Sequence, residues 1–504
     1  MLSVVKTDSS SSFSWWELPL LAIVMMWGAS TRWALIGLGP TSDEISLLKW
    51  RGWEWIFRDT ANRWHPPLYR MSFTAWLEPE QALTVARHVS LVAGVLTIAL
   101  VWLLARGLTR SRLLALAAGL GLAALPHHML FSVMFRPYAV LLMLMCVHLI
   151  CLSRWIPAGA PRWTLWGVGL TATLLPQIHY LALPWLALMA LGTAATLKRS
   201  WRTFIPYLGA PLVILPLMGH ITGTMESSAP ITTDWHTLMT ALFGMGIEGN
   251  PKMPIGRYYW PVGVLAATAT LIRWPWLSVH GRVIVIGTLS MLGAIAWVSG
   301  QHRLTPSTML LIAPMLWAML AALPQLIPGR WRITRAAQWT AAAVLAGLTL
   351  QMVSYRLAYH RDHIRPSDQI VNFIETVPER FPRTHAIRFS TSSHLTIVRY
   401  LTGHGLFAIA DVDIDDGCFN TRCINVDGRL WMVDPKEGYD RDSILVLRRS
   451  KTLPPLPPGC TIAPADPALP PFAVCEAVTT PPATVSASTN PSDSEEKIQM
   501  KSSP

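Results

Sequence analysis

The chain has 504 residues, 52% hydrophobic and only 14% charged, with a mean hydropathy of +0.36. A soluble protein carries charge on about a quarter of its residues, so a water-soluble globular fold is excluded and a polytopic α-helical membrane protein remains. The net charge of +12 is not a nucleic-acid signature, because the Arg and Lys fall in short loops between apolar runs, where they act as topology signals.

Apolar runs of about 18–22 residues, the length that crosses a hydrocarbon core, predict about eleven spans. They lie near 15–36, 83–105, 113–131, 137–152, 164–181, 183–197, 203–219, 259–272, 283–299, 305–325 and 337–354. The first run is longer than a signal-peptide core and has no small-residue cleavage site behind it, so it reads as a retained anchor. Every second loop is short and basic: Arg106, Arg110 and Arg112, then Arg154 and Arg162, then Lys198, Arg199 and Arg202. Arg273 with Arg282, and Arg330 with Arg332 and Arg335, continue the alternation. The positive-inside rule then places the N-terminus in the cytoplasm. The loop 38–82, the loop 220–258 and everything after about residue 357 lie outside. The 24 Trp fit a chain with many headgroup-level side chains.

In the first outer loop, Ile45, Leu48, Trp53 and Ile56 recur at helical intervals beside Trp50 and Trp55, predicting an amphipathic interfacial helix over 45–58. The loop 220–258 carries Glu226, Asp234, His236 and Glu248 and has the length of a lid. Beyond residue 357 the character changes. A helix is expected at 368–377 and short strands at 385–390, 406–410, 429–433 and 443–448. The expected architecture is an all-α polytopic membrane bundle (1–357), a small extracytoplasmic α/β domain (358–478) and a disordered Ser-, Thr- and Pro-rich tail (479–504).

Six cysteines divide two ways. Cys146 and Cys151 belong to a span and read as small buried hydrophobes. Cys418, Cys423, Cys460 and Cys475 fall in the outer domain and read as disulfides, with Cys418–Cys423 and Cys460–Cys475 favoured among three pairings. Zinc is the alternative, with poor ligand spacing.

The chemistry-bearing residues share the outer face. Asp43-Glu44 follows the first span, where an acidic pair is either an ordinary helix start or a base. His65-Pro66-Pro67-Leu68-Tyr69-Arg70 follows in the same loop, and its prolines predict a stiff, extended segment that presents His65 and Arg70. Arg136-Pro137-Tyr138 opens the fourth span, either snorkelling or gripping a phosphate. Gln177, His179 and Tyr180 interrupt an apolar stretch beside Pro176, and Arg303 caps the turn after the ninth span. For His179 the plain reading is a satisfied core histidine at a kinked helix end.

With these residues in view, the chain resembles the integral-membrane glycosyltransferases of the GT-C fold that use polyprenyl-phosphate sugars. The protein O-mannosyltransferase branch and its bacterial relatives, the aminoarabinose and Rgt-type transferases, are the nearest in pattern. That branch has an Asp-Glu pair in the first outer loop and a His-Pro-Pro-Leu segment ending in a basic residue. Asp43-Glu44 and His65 to Leu68 with Arg70 match it, as do Ala86-Arg87, Arg136-Pro137-Tyr138 and Gln177 to Tyr180. The chain departs from it in placing Arg63-Trp64 before His65 and Met134-Phe135 before Arg136, where acidic residues are usual.

The resemblance implies an inverting transfer from an undecaprenyl- or dolichyl-phosphate sugar. Asp43 would be the base, with Glu44 and His65 orienting substrates. Arg136, Arg303 and Arg70 would hold the leaving phosphate, and Tyr138, His179 and Tyr180 would line the substrate. Asp43, Glu44, His65 and His179 are candidate ligands for a divalent ion. The implied partners are the bilayer, the lipid-linked donor and a glycan, lipid or protein acceptor in a plasma (inner) membrane. An oligosaccharide ligase or polymerase, a lipid flippase or transporter, and a structural membrane component stand as alternatives.

Overall fold

The structure is a computed structural model that describes residues 15–37, 42–48, 67–109, 111–157, 159–196, 201–209, 277–299 and 310–326, positions 373 and 376, and six strands between 386 and 475. Its helices are α1 (Glu17–Ile36), α2 (Ser42–Leu48), α3 (Pro67–Thr74), α4 (Pro79–Leu108), α5 (Arg112–Ala124) and α6 (Pro126–Phe131). They continue with α7 (Tyr138–Trp155), α8 (Arg162–Ile178), α9 (Ala182–Thr196), α10 (Val279–Ser299) and α11 (Ala313–Leu326). Among the described residues four helices are long and apolar enough to cross a membrane, Glu17–Ile36, Pro79–Leu108, Tyr138–Trp155 and Val279–Ala296. Three shorter apolar helices, Arg112–Ala124, Ala182–Thr196 and Leu310–Ala322, lie among them. Of the eleven expected spans, 259–272 and 337–354 lie outside the described residues, as does 203–219 beyond residue 209.

Helix α4 is the central post. It packs on α1, α5, α7 and α11, while α7 packs on α8 and α9 on α10. Its apolar residues form one contiguous core with those of its neighbours. Outward, Ile23, Met26 and Trp33 on α1, Val92 on α4, and Trp166 and Leu170 on α8 stay exposed. So much apolar surface on several helices is a surface for lipid rather than water, and the chain is an integral membrane protein.

Polar contacts show how the helices alternate. At one end of the bundle Glu17, which opens α1, meets Arg106 near the end of α4 and Arg112 at the start of α5. His280, near the start of α10, reaches Ser153 and the Leu104 carbonyl at the same end. At the other end Arg87, early in α4, meets the carbonyl of Ile36 that closes α1. Arg87 and Arg106 are 19 residues apart, about 28 Å along a helix at 1.5 Å per residue, close to the thickness of a hydrocarbon core.

Local sequence explains the breaks. The expected span 113–131 is two helices, because Pro126 has no N–H and starts α6 at its first turn after the extended Leu125. Ser111 caps α5 by accepting from Leu114 N. Pro176 sits in the last turn of α8, which ends two residues later at Ile178, before the extended His179. Of the interfacial helix expected at 45–58, residues 45–48 are described and belong to α2, Ser42–Leu48, with Ile45, Leu47 and Leu48 buried; residues 49–58 lie outside the described ones.

The strands form one six-stranded mixed sheet of order β2-β3-β1-β4-β6-β5. They are β1 (Ala386–Phe389), β2 (Cys423–Val426), β3 (Arg429–Val433), β4 (Ser443–Val446), β5 (Cys460–Ile462) and β6 (Phe472–Cys475). Strand β1 runs parallel to β3 and β4, and the other pairs are antiparallel. Three of the expected strands coincide with β1, β3 and β4, whereas β2, β5 and β6 were not foreseen. The strand expected at 406–410 and the tail from 479 lie outside the described residues, and of the helix expected at 368–377 only residues 373 and 376 are described, both helical.

Candidate active site

The site is built on a buried ion pair. Glu44 lies in the first turn of α2 with no exposed surface. Arg87 grips it with both prongs, Nε to Oε1 at 2.8 Å and Nη2 to Oε2 at 2.9 Å. The backbone N–H of Phe135 donates to Oε1 as well, at 2.8 Å. The remaining guanidinium nitrogen, Nη1, donates to the Ile36 carbonyl at 3.0 Å. One carboxylate thus joins α1, α2, α4 and the turn before α7. Two desolvated charges are tolerable in such a place only when geometry and hydrogen bonds are this complete. Asp43 is the preceding residue of α2, so the anchor at Glu44 fixes its backbone.

Helix α3 enters next, and here the sequence reading needs a correction. Pro66-Pro67 does not hold an extended segment through Arg70. The helix begins at Pro67, where a missing N–H costs nothing and the fixed φ suits a first turn; the rule that a residue before proline avoids helix applies to His65 and Pro66 but not to the residues after them. Tyr69 is buried, with its hydroxyl 3.1 Å from Ser90 Oγ. Its ring meets Phe73 and Phe135 at centroid distances of 5.3 and 5.7 Å. Burial pushes its phenol above the ordinary value; the Ser90 bond opposes this, Glu44 adds to it and Arg136 opposes it. Tyr69 therefore remains a neutral phenol within the fields of both Glu44 and Arg136. Arg70, buried on the same helix, is carried by an element that packs on both α4 and α8.

The third side comes from α7 and α8. Arg136 is half-buried in the turn before α7, with its N–H bonded to the Met134 carbonyl at 2.7 Å. Tyr138 is buried, and its ring lies 5.6 Å from that of His179. His179 Nδ1 accepts from Leu181 N at 3.1 Å, which assigns the ring proton to Nε2. Burial first, and Arg136 second, pull its pKa down to about 4. Tyr180 is buried too, its phenol pushed up to about 12. Gln177 was read only as an interruption of an apolar run. Its side-chain Nε2 is buried without a hydrogen-bond partner among the described residues.

Glu44, Arg70, Arg136, Tyr138, His179 and Tyr180 therefore gather at one end of the bundle. The side chains of Asp43, His65, Arg303, Cys418, Cys423, Cys460 and Cys475 lie outside the described residues. Arg87, which the pattern match contained without a role, is the residue that sequence reasoning undervalued. Its signal was a charged side chain inside an apolar span. Two of the four candidate metal ligands do not fit that task, since Glu44 is taken by Arg87 and Phe135 N, and His179 Nδ1 by Leu181 N. Among the described residues no three His, Cys, Asp or Glu side chains gather around one point.

This end of the bundle coincides with a sequence match that begins at His65 and runs through Arg70, Arg87, Arg136 and His179. Residues 65–222 match the dolichyl-phosphate-mannose-protein mannosyltransferase family. No curated protein matches the chain in sequence. Among solved structures, the chain has the fold of ArnT from Cupriavidus metallidurans in the apo state. The identity is 10%, the coverage 91% of this chain and 97% of that one, and the TM-score 0.53. ArnT bound to undecaprenyl phosphate aligns at 13% identity over 91% and 98% of the two chains, with a TM-score of 0.47. The apo oligosaccharyltransferase of Archaeoglobus fulgidus aligns at 13% identity over 78% of this chain and 64% of its own, with a TM-score of 0.44. Sequence similarity to the mannosyltransferase family thus covers residues 65–222, and the fold of ArnT is shared over most of the length.

Proposed function

We propose that this protein is a membrane glycosyltransferase that moves a sugar from a polyprenyl-phosphate donor to an acceptor hydroxyl on the extracytoplasmic face. The observation that carries the reading is the Glu44–Arg87–Phe135 lock, which holds the Asp43 backbone at the end of the bundle where Arg136 and His179 meet. The family match over 65–222 supports the donor class, since those mannosyltransferases are named for a dolichyl-phosphate sugar.

In this reading Asp43 takes the proton of the acceptor hydroxyl as its oxygen attacks the anomeric carbon. The bond to the carrier phosphate breaks on the opposite face, so the configuration inverts. The phosphate leaves with both electrons of that bond, and fixed cations stabilise the departing charge. Arg136 and Arg70 supply them, joined by Arg303. Glu44 positions α2 through Arg87, and Tyr138, His179 with its Nε2 proton, and Tyr180 line the sugar side with Gln177. His65 orients the acceptor. The C-terminal sheet belongs to an extracytoplasmic domain that faces the same compartment.

The test is Asp43→Asn, assayed as release of polyprenyl phosphate from labelled undecaprenyl- and dolichyl-phosphate mannose and pentose donors. The variant is expected to fold and to lose transfer by about 10²–10⁴-fold, the usual contribution of a general base. Turnover at the unmodified rate would remove Asp43 from the mechanism.

A further inference from the structure

Four cysteines beyond residue 357 allow three complete pairings, and the order of the sheet separates them. Cys423 opens β2 at one edge, Cys460 opens β5 at the other edge, and Cys475 closes β6 beside it. Neighbouring strands lie about 4.8 Å apart, so the steps β2-β3-β1-β4-β6 put Cys423 about 19 Å from Cys475. One further step to β5 puts it about 24 Å from Cys460. A disulfide joins Cα atoms about 4.4–6.8 Å apart. Two of the three pairings require a bond from Cys423 to Cys460 or to Cys475, and both fail on this distance.

The third pairing asks for Cys460 with Cys475. In the antiparallel pair β5–β6 these two residues are direct Cα partners. Directly opposed residues in such a pair have Cα atoms about 4.5 or 5.5 Å apart, inside the range for a bridge in either case. We infer that Cys460 and Cys475 form a cross-strand disulfide.

The bond has a structural use. Among the described residues strand β5, three residues long, pairs on one side only. So short an edge strand holds its register weakly, and a covalent tie to β6 pins it. Formation removes one proton from each thiol and passes two electrons to an incoming disulfide, which leaves as a dithiol. That exchange belongs to an oxidising compartment. The sheet then lies on the non-cytoplasmic side, as the loop charges predict.

The test uses the full-length protein in the membrane of a bacterium with an oxidising periplasm. Free thiols are blocked with iodoacetamide under denaturing, non-reducing conditions, and the chain is digested with trypsin. No Lys or Arg lies between Lys451 and Lys497, so the tryptic peptide 452–497 carries both cysteines and no others. The expected peptide is unalkylated and lighter by two hydrogens than its reduced form, and it takes two alkyl groups only after reduction. In a host lacking the periplasmic thiol oxidase it is expected to arrive alkylated. Cys146 and Cys151, free and buried, are alkylated on denaturation in both hosts and serve as the control. A doubly alkylated peptide from the oxidising host, or a bond from either cysteine to the peptide carrying Cys423, would overturn the inference.

Discussion

The two ends of the helical bundle each bury a carboxylate against arginine, with different surroundings. At one end Glu17, fully buried, meets Arg106 at 3.3 Å and Arg112 at 2.8 Å, and those arginines keep 13% and 31% of their side chains exposed. Arg112 also lies over the Trp16 ring. At the other end Glu44 is equally buried, but its partner Arg87 is only 6% exposed, and a backbone N–H completes the set. The first is a clamp whose cations still reach water. The second is dry, and Tyr69 beside it lies within the fields of both Glu44 and Arg136. The same pairing of residue types closes the bundle at one end and positions a candidate site at the other.

The sharpest way to break that comparison is to neutralise each carboxylate. Glu44→Gln strands the charge of Arg87 in a dry place and is expected to cost about 3–5 kcal/mol of stability, the scale for breaking a buried pair, and to abolish transfer. Glu17→Gln leaves arginines that turn back to solvent, so about 1 kcal/mol is expected, with turnover per folded molecule unchanged. Thermal unfolding in detergent and donor turnover measure both. Equal losses of activity would dissolve the distinction between the two ends.

Arg136 comes next. Arg136→Ala is expected to lower turnover by about 10²–10³-fold, the scale for losing one donor to a developing charge. Arg136→Lys should fall between, since it keeps charge but loses the planar fork. Unchanged kinetics in both would make Arg136 a snorkelling residue.

The third prediction concerns acid. His179 has a pKa of about 4 in the folded protein against an ordinary 6.5. Between those values the unfolded chain binds a proton that the folded chain refuses. The stability from His179 is thus complete above about pH 6.5 and is lost as pH falls towards 4. His179→Gln is expected to flatten the acid side of the stability profile in that window. A profile identical to the parent would show that His179 titrates normally.

The smallest effect is expected at Tyr69. Tyr69→Phe deletes one hydrogen bond to Ser90 and should cost about 1 kcal/mol, leaving transfer intact.

Much of this was legible before any coordinates. The long apolar runs predicted α1, α4, α7 and α10 to within a few residues, because membrane thickness sets helix length. The strands at β1, β3 and β4 were legible as β-branched and apolar runs. The short strands β5 and β6 were not, since three or four residues among prolines carry no period. The stretch Leu68 to Arg70 was misread because a proline pair has two structural outcomes, and which one applies depends on whether a helix follows. Arg87 was visible as a charge within a span, but nothing near it in sequence named Glu44, 43 residues away.

Sequence alone determined that this chain lives in a bilayer, roughly where several of its helices begin and end, and which residue types gather in its first loop. Those properties follow from local hydropathy and backbone chemistry, which each segment carries with it. Tertiary structure alone decided that Glu44 is sealed against Arg87, that His179 and Tyr138 share a wall beside Arg136, and that Cys460 faces Cys475 across two strands. These are pairings between distant segments. They exist because desolvated charges and strand edges must find partners, and only the folded chain determines which partners are within reach.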